Sequence, residues 1–308
     1  MKKIVISEFM DPVAIDGLKN NFEVVYDPGL VDQPDLLLAE LKTADAIIVR
    51  NRTQVRGELL ACAEKLSAVG RLGVGLDNID LNACNARQIE VLPAHGANKT
   101  AVAEYVMASI FILLRRVYRS TLEMVDGQWP RTASMGNETA GKVLGVIGFG
   151  AIGRETCRKA AAMGMRVIAY HPSLPVDDPA WRDVESLGFE EVLATADVIS
   201  LHVPLTKETR HMIDARAMAG MKKGALLINT ARGGVVDENA LVGAMKSGQI
   251  GGAAIDVFET EPLNRGMGLK FKNLPNLILT PHIAGVTMES NRRVSALTAE
   301  NIRKALAG

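Results

Sequence analysis

One short glycine pattern limits the folds open to this chain more than any other feature. The residues Gly148-Phe149-Gly150-Ala151-Ile152-Gly153 follow the strand-like run 142–147 and open a helical stretch that reaches Met163. In a strand–turn–helix unit, the first glycine permits a tight turn, the second lets a pyrophosphate approach the backbone, and the third packs the helix close to the strand. Backbone N–H groups and the positive end of the helix dipole then face the phosphates. The pattern predicts a dinucleotide site.

Strand-like and helix-like patterns alternate along the rest of the chain, which predicts βαβ units and parallel sheets. The length of 308 residues is about twice that of a common single domain, so we expect two domains. A long helix from Ala101 to Val117 separates the two series, and a last helix near 288–306 has no further sheet to follow it and can return to the first domain. The predicted strands are Ile4-Val5-Ile6, Val24-Val25-Tyr26, Ala46-Ile47-Ile48-Val49 and Val91-Leu92, then 142–147, 166–170, 198–201, 225–228, 253–255 and 277–279.

The strand after the glycine pattern bears on the choice of cofactor. It ends in His171, where an Asp or Glu would bind the ribose hydroxyls of NAD. Asp177 and Asp178 come later, beyond two prolines, and no nearby arginine stands ready for a 2′-phosphate. We therefore predict NAD as the cofactor. We leave NADP open, because His171 and Ser173 can tolerate the 2′-phosphate.

Ionisable residues follow three of the later strands, within the segments 230–238, 256–262 and 280–285. The ends of parallel strands converge where open α/β sheets bind ligands. An arginine there can grip a carboxylate with two parallel hydrogen bonds, and a histidine can exchange a proton near neutral pH while a carboxylate keeps it oriented. We predict Arg232, Glu261 and His282 as the catalytic group, and no metal site.

These segments, together with 70–80 and 98–104, resemble the signature motifs of the D-isomer-specific 2-hydroxyacid dehydrogenase family over nearly the whole chain. The resemblance implies an NAD(P)-dependent oxidoreductase that transfers a hydride between the nicotinamide and the 2-carbon of a small hydroxy acid. It implies that Arg232 binds the substrate carboxylate and carbonyl, that His282 is the acid/base and that Glu261 is its partner. The further residues implied for the cofactor are Val203, Pro204, Thr209, Thr230, Ala231, Asp256 (on the carboxamide) and Gly285, and those for the substrate carboxylate are the backbone amides of Val74 and Gly75.

The same resemblance implies an α/β architecture in which a doubly wound Rossmann domain is inserted in a doubly wound, flavodoxin-like substrate domain. Residues 1–98 and 286–308 would form the discontinuous substrate-binding domain, and residues 99–285 the dinucleotide-binding domain. A helix and arm near 101–135 would join two copies in a homodimer.

Two arginines end the third predicted strand, in the run Val49-Arg50-Asn51-Arg52-Thr53. The run is either a solvated loop or, if the side chains of residues 50–52 face the substrate, a receptor for a second anionic group such as a phosphate or a sulfonate. With residues 6–10 and 281–287, it is most similar to the sulfolactate dehydrogenase branch of the family. The alternatives are a phosphoglycerate dehydrogenase, a glyoxylate/hydroxypyruvate reductase, or a non-enzymatic protein that senses dinucleotides.

Charge and composition exclude several other classes of protein. Lys plus Arg equals Asp plus Glu at 35 each, so no net field attracts nucleic acid or an anionic membrane. The apolar run 102–114 is interrupted by Glu104 and is shorter than the roughly 20 residues of a membrane span. Three widely spaced cysteines suit a reducing compartment. We therefore expect a cytoplasmic enzyme whose substrate is a small-molecule acid.

Overall fold

The computed structural model describes residues 1–116, 120–175 and 177–307. It divides into two compact units, the first formed by residues 1–98 and 286–308 and the second by residues 99–285. Residues 117–119, 176 and 308 lie outside the described residues, and they include the predicted end of the long helix at Val117, part of the predicted dimer arm and the last residue of the predicted substrate-binding domain.

The first unit contains a five-stranded sheet in the order β2-β1-β3-β4-β5, and every neighbouring pair is parallel. The strand order reverses beside β1, as in flavodoxin-like doubly wound sheets. The sequence prediction missed β4, because Gly70 and Arg71 interrupt its apolar pattern. The strands, numbered in chain order, are β1 (Lys3–Ile6), β2 (Glu23–Tyr26), β3 (Ala46–Val49), β4 (Ala68–Arg71) and β5 (Glu90–Pro93).

Helices cover both faces of this sheet, with α1 (Pro12–Lys19) and α12 (Met288–Ala307) on one face and α2 (Pro34–Leu41), α3 (Glu58–Cys62) and α4 (Leu81–Ala86) on the other. Asp11 and Asp80 begin α1 and α4 as N-caps, since their carboxylates accept backbone N–H groups of the first turn. A Cβ on Gly70 would lie 2.9 Å from side-chain carbons of Ile302 and Thr298. The glycine therefore lets α12 approach β4 closely.

The second unit contains a seven-stranded parallel sheet in the order β12-β11-β10-β9-β6-β7-β8. The order reverses between β6 and β9, which is the switch point of a Rossmann sheet. The prediction of two doubly wound α/β sheets is confirmed, and only the two-residue strand β8 was missed here. The strands are β6 (Val143–Ile147), β7 (Arg166–Tyr170), β8 (Glu185–Ser186), β9 (Val198–Leu201), β10 (Ala225–Asn229), β11 (Ile250–Ile255) and β12 (Leu277–Leu279).

Helices α5 (Lys99–Arg115) and α7 (Ala151–Ala162) cover one face of this sheet, and α8 (Phe189–Thr195), α9 (Ala215–Ala219) and α10 (Glu238–Lys246) cover the other. Val106, Ile110 and Leu113 repeat at helical spacing on α5 and are buried. Among the described residues, no helix is long and apolar enough to cross a membrane. The short helices are α6 (Thr121–Val125), α11 (Arg265–Gly268) and the 3₁₀ turns Leu30–Asp32, Pro179–Trp181 and Leu269–Phe271.

Candidate active site

Of the three glycines in the turn between β6 and α7, Gly148 and Gly153 are closely packed and Gly150 is open. A Cβ on Gly148, whose φ is 99°, would lie 2.6 Å from the carbonyl oxygen of His202. A Cβ on Gly153 would lie 2.3 Å from the carbonyl oxygen of Gly148. Gly150, at the start of α7, has no atom within 4 Å of its Cβ position. A phosphate can therefore reach the N-terminus of α7 at Gly150, as the sequence pattern requires.

The other residues predicted to line a cofactor follow the carboxyl ends of neighbouring strands. Val203 and Pro204 follow β9, and Thr230 and Ala231 follow β10. The hydroxyl of Thr230 is buried and has no hydrogen-bond partner within the described part of the chain. Since an unpaired buried hydroxyl is costly, a ligand that bonds to it fits this place. The open glycine turn and this hydroxyl together fit a dinucleotide.

Thr209 shapes the loop after β9. Its hydroxyl donates to the carbonyl oxygen of Pro204 at 2.6 Å and accepts the backbone N–H of Thr206 at 2.8 Å. Thr209 is thus a brace for the loop, a role that the sequence did not reveal.

His171 closes the turn after β7. Its Nδ1 atom accepts backbone N–H groups of Ser173 at 3.3 Å and of Leu174 at 3.1 Å, so the proton of the neutral ring lies on Nε2. Asp178 is the N-cap of the following 3₁₀ turn, where it accepts the N–H of Ala180 at 2.8 Å. The ring of His171 therefore presents a donor where an acidic residue would have presented an acceptor.

His202 lies beside the glycine turn in a setting unsuited to acid–base chemistry. Burial lowers the pKa of His202 to about 4, and its Nε2 atom lies 2.9 Å from the hydroxyl of Ser200. The ring is neutral near pH 7 and acts as a packing group.

His282 and Glu261 form a hydrogen-bonded pair, with 2.8 Å between Nδ1 and Oε2. Burial raises the pKa of the Glu261 carboxyl, but the hydrogen bond from His282 and the nearby positive charges outweigh burial and leave that pKa below its ordinary value. The other oxygen of Glu261 accepts the N–H of Phe258 at 3.0 Å. Because an ionised carboxylate only accepts hydrogen bonds, Nδ1 of His282 carries a proton and Nε2 is the atom left to exchange one.

Asp256 holds the loop that carries His282. Its buried carboxylate accepts the N–H groups of Ile283 and Ala284, both at 2.8 Å, and the hydroxyl of Thr280 at 2.6 Å. The N–H of His282 donates to the backbone oxygen of Asp256 at 2.8 Å, and the φ of His282 is 56°. A left-handed backbone at a non-glycine residue needs such support. The motif had suggested only a cofactor contact for Asp256.

Tyr105, on α5, extends this support. Its hydroxyl lies 2.5 Å from the hydroxyl of Thr280, which already donates to Asp256, so Tyr105 donates to Thr280. Burial raises the pKa of Tyr105, which keeps the phenol protonated. No pattern in the sequence marks Tyr105, because it occupies one position in a long helix.

Arg232 stands on a loop braced by Asn229, the buried last residue of β10. The Asn229 amide accepts the N–H of Ala231 and donates to the carbonyl oxygen of Arg232, both at 3.0 Å, and Arg232 donates from Nη1 to the carbonyl of Ala231 at 2.6 Å. A Cβ on Gly233 would lie 1.7 Å from the carbonyl oxygen of Phe258. The loops that carry Arg232 and Glu261 therefore touch through Gly233, and the predicted catalytic group lies within one unit.

The two arginines of the run 49–53 have different partners. Arg50 is half-buried, its Nη2 atom lies 2.5 Å from the side-chain oxygen of Asn291, and its guanidinium carbon lies 6.0 Å from the ring centre of Phe9. Arg52 is exposed and forms an ion pair with Asp32. Asn51, between them, is exposed. The sequence left a solvated loop and a receptor formed by residues 50–52 as alternatives, and the structure gives Arg50 and Arg52 different surroundings.

Val74 and Gly75 belong to a loop that wraps around Arg71. The buried guanidinium donates from Nη1 to the carbonyl of Leu72 at 2.6 Å and from Nε to the carbonyl of Gly75 at 2.8 Å. A Cβ on Gly73, whose φ is 150°, would lie 2.0 Å from Nη1 of Arg71. The glycine therefore makes room for the cation beneath the loop.

Comparisons with known proteins agree with this arrangement. A family model described as the NAD binding domain of D-isomer specific 2-hydroxyacid dehydrogenases matches residues 107–284. The chain is 52% identical to the (S)-sulfolactate dehydrogenase of Chromohalobacter salexigens over 99% of both chains, and 37% identical to the hydroxypyruvate reductase of Thermotoga maritima over 99% of this chain and 98% of that one. The crystal structure of D-lactate dehydrogenase from Aquifex aeolicus with NAD and lactic acid has a TM-score of 0.86 and 31% identity, covering 100% of this chain and 96% of that one.

Proposed function

The chain belongs to the D-isomer specific 2-hydroxyacid dehydrogenase family, and from that premise we propose that Arg232, Glu261 and His282 interconvert a 2-hydroxy acid and its 2-oxo acid. The prediction of this family, of an oxidoreductase and of a nicotinamide dinucleotide cofactor is confirmed, which sets the non-enzymatic alternative aside. The observation that carries the proposal is the pair of His282 and Glu261 beside Arg232, in the same unit as the open glycine turn.

In reduction, Arg232 binds the carboxylate of the 2-oxo acid and polarises its carbonyl group. A nicotinamide dinucleotide, when bound, would supply the hydride that reaches the 2-carbon. Nε2 of His282 gives its proton to the carbonyl oxygen, so that one hydride and one proton convert the oxo acid into the hydroxy acid. Glu261 holds Nδ1–H and stabilises the charged ring. In oxidation each step reverses, and neutral His282 takes the hydroxyl proton at Nε2.

The roles of the two units follow from the same proposal. The second unit, which contains the residues matched by the NAD-binding model, binds the dinucleotide through Gly148, Gly150, Ala151, Ile152 and Gly153. Its strand-end loops line the rest of the cofactor through His171, Val203, Pro204, Thr209, Thr230, Ala231, Asp256 and Gly285. The first unit binds substrate through the backbone of Val74 and Gly75 and through Arg50, and the neighbouring Asn51 and Arg52 are exposed.

For the substrate we propose a 2-hydroxy acid with a second anionic group, and 3-sulfolactate first. The identity of 52% to a sulfolactate dehydrogenase supports this choice, and so does Arg50, whose guanidinium is held between Asn291 and Phe9. A phosphoglycerate dehydrogenase is the alternative whose substrate also has a second anionic group. The hydroxypyruvate reductase relative supports a further alternative, a reductase of 2-oxo acids with an uncharged side group. Assaying sulfolactate, phosphoglycerate, glycerate and lactate with NAD and NADP separates these functions. Equal activity on glycerate and sulfolactate would reject the second anionic group.

Replacing Arg50 with alanine should raise the KM for the preferred dianionic substrate by about 10-fold to 100-fold, because a charge-assisted hydrogen bond contributes about 1.5–3 kcal/mol. The matched control is Arg52→Ala, which removes an exposed arginine two residues away that pairs with Asp32. We expect that variant to change the same KM by less than about threefold, since exposed ion pairs contribute little. Equal effects of the two substitutions in steady-state assays would contradict the choice of Arg50.

We propose NAD as the cofactor. Residues 171–178 contain no arginine or lysine that would pair with a 2′-phosphate. The variant His171→Arg should improve the KM for NADP relative to NAD by about tenfold, through a charge-assisted bond to that phosphate. Parallel titrations with both cofactors test this, with Arg182→Lys as a control at a more distant position. Unchanged selectivity would show that residue 171 does not face the ribose.

We propose further that two copies associate through the segment near 101–135, in a cytoplasmic homodimer with no nucleic-acid or membrane partner. Leu122, Val125, Trp129 and Met135 are each at least 70% exposed, a concentration of apolar surface typical of an interface. The free cysteines suit the reducing cytoplasm, and the zero net charge suits a protein without nucleic-acid or membrane partners.

Light scattering should give twice the chain mass of 33.1 kDa for the wild type. The double variant Val125→Asp, Trp129→Asp should be monomeric, because carboxylates are costly to bury without partners. The control Val13→Asp changes an equally exposed valine of the first unit and should leave the dimer intact. A dimeric double variant would contradict the proposed interface.

A further inference from the structure

Glu8 is a buried acid whose carboxylate accepts hydrogen bonds from the backbone of one loop. It follows β1, and the residue is 5% exposed. Its Oε1 atom accepts the N–H of Arg50 at 2.8 Å and that of Thr53 at 3.0 Å, and its Oε2 atom accepts the N–H of Arg52 at 3.2 Å. A buried carboxylate with three backbone donors orders the chain that supplies them.

The carbonyl side of the same loop is held by Asn78. The buried amide nitrogen of Asn78 donates to the carbonyl of Thr53 at 2.7 Å and to that of Arg50 at 3.3 Å. The hydroxyls of Ser7 and Thr53 also bond at 2.9 Å in the interior. The backbone of residues 50–53 is therefore fixed from both sides, and the side chain of Arg50 begins from a rigid base.

The guanidinium of Arg50 is the group that this arrangement positions. It reaches Asn291 of α12 and the ring of Phe9, the exposed neighbour of Glu8. Glu8 and Phe9 thus act on Arg50 from one short segment, since the buried side chain holds the loop and the exposed one packs against the cation. Arg52 shares the loop, but its side chain turns to Asp32.

We propose that Glu8 is a positioning residue for substrate specificity, which holds the loop 50–53 so that Arg50 meets the second anionic group of the substrate. This inference rests on the proposed function, because it requires a substrate with that group. Glu8 itself has no role in the proton or hydride transfer, and it acts through the backbone of the loop.

The charge of Glu8 and its positioning role predict opposite changes in the KM for a dianionic substrate when this carboxylate is lost. Glu8 is negative and lies near the place proposed for an anion, so a purely electrostatic effect of Glu8→Gln would lower the KM for a dianionic substrate. Positioning predicts the reverse, because the glutamine NH₂ group would face a backbone N–H where Glu8 has an acceptor. The sign of the change in KM therefore separates the two effects.

The test compares sulfolactate with lactate in wild type, Glu8→Gln, Glu8→Asp and Arg50→Ala. We expect Glu8→Gln to raise the ratio of the sulfolactate KM to the lactate KM about tenfold, the equivalent of 1.4 kcal/mol. Glu8→Asp, which keeps the charge and shortens its reach, should raise the ratio in the same direction. The control Glu40→Gln removes a carboxylate of the same unit that pairs with Lys3, and should leave the ratio unchanged.

Thermal unfolding of each variant shows that the compared proteins are folded, and Glu8→Asp carries the test if Glu8→Gln does not fold. A ratio that is unchanged or lowered in the folded variants, while Arg50→Ala raises it, overturns the inference and leaves the proposed substrate class intact. A wild type that does not favour sulfolactate or another dianion over lactate overturns the substrate proposal and this inference with it.

Discussion

Replacing His282 with asparagine is expected to lower turnover by about 10²–10⁴-fold, which is the usual contribution of a positioned acid–base group. Asparagine suits this position because the φ of His282 is 56° and asparagine tolerates the left-handed region better than most residues. The variant can still hydrogen-bond to Glu261, but it has no atom that carries a proton to and from the substrate near neutral pH. Steady-state kcat measures the loss, and titration of NADH fluorescence should show cofactor binding nearly unchanged.

The matched control for this variant is His211→Asn. His211 also has a left-handed backbone, with a φ of 52°, and its Nε2 atom lies 3.2 Å from a carboxylate oxygen of Glu259. It therefore shares the backbone conformation and the type of partner of His282, but it is outside the proposed catalytic group. Turnover within about threefold of wild type is expected, because the half-buried His211 has no part in the proposed proton transfer. Near-normal turnover of His282→Asn would show that another group transfers the proton.

Gly233→Ala is expected to lower kcat/KM by about 10²-fold, because a displacement of about 1 Å in a catalytic group has an effect of this size. The new methyl carbon would lie 1.7 Å from the carbonyl oxygen of Phe258, so the two loops must separate. The loop beyond Phe258 is tied to α10, since the N–H of Glu259 donates to Glu238 at 2.7 Å and the N–H of Glu238 donates to Glu259 at 3.3 Å. We therefore expect the loop of Arg232 to move.

Gly243→Ala is the control for the added methyl group. Gly243 lies within α10, and no atom lies within 4 Å of its Cβ position. This variant should keep full activity, and its free energy of unfolding should stay the same or rise by about 0.4–1 kcal/mol, because alanine reduces the freedom of the unfolded chain. Urea unfolding and kcat/KM of both variants check the pair. Full activity in a folded Gly233→Ala variant would contradict the described contact between the loops.

Most of the strands and the candidate catalytic residues were predictable from the pattern along the chain. Apolar runs locate strands such as β6 and β10, and in a parallel sheet the residues after each strand come to the same edge. Arg232, Glu261 and His282 could be placed together on this ground alone. The strands β4 and β8 were missed, because β4 contains glycine and arginine and β8 has two residues.

The residues that support the site were not predictable in the same way. Tyr105 and Glu8 act through hydrogen bonds to residues that are distant in the chain, and no local spacing records such pairs. Asn229 left one weak signal, as a polar residue at the end of an apolar strand.

Local chemistry was sufficient for the glycine turn that first limited the fold. The φ of Gly148 is 99°, and a Cβ on Gly153 would lie against the carbonyl of Gly148, so both glycines are required by the backbone of the turn itself and their spacing predicts it. The roles of Arg50 and Arg52 could not be separated in that way. They are the same residue type two positions apart, and only the tertiary structure gives one Asn291 on the last helix and the other Asp32 on the surface. The physical reason is that burial and partners depend on residues distant in the chain, whereas a turn depends on its own backbone.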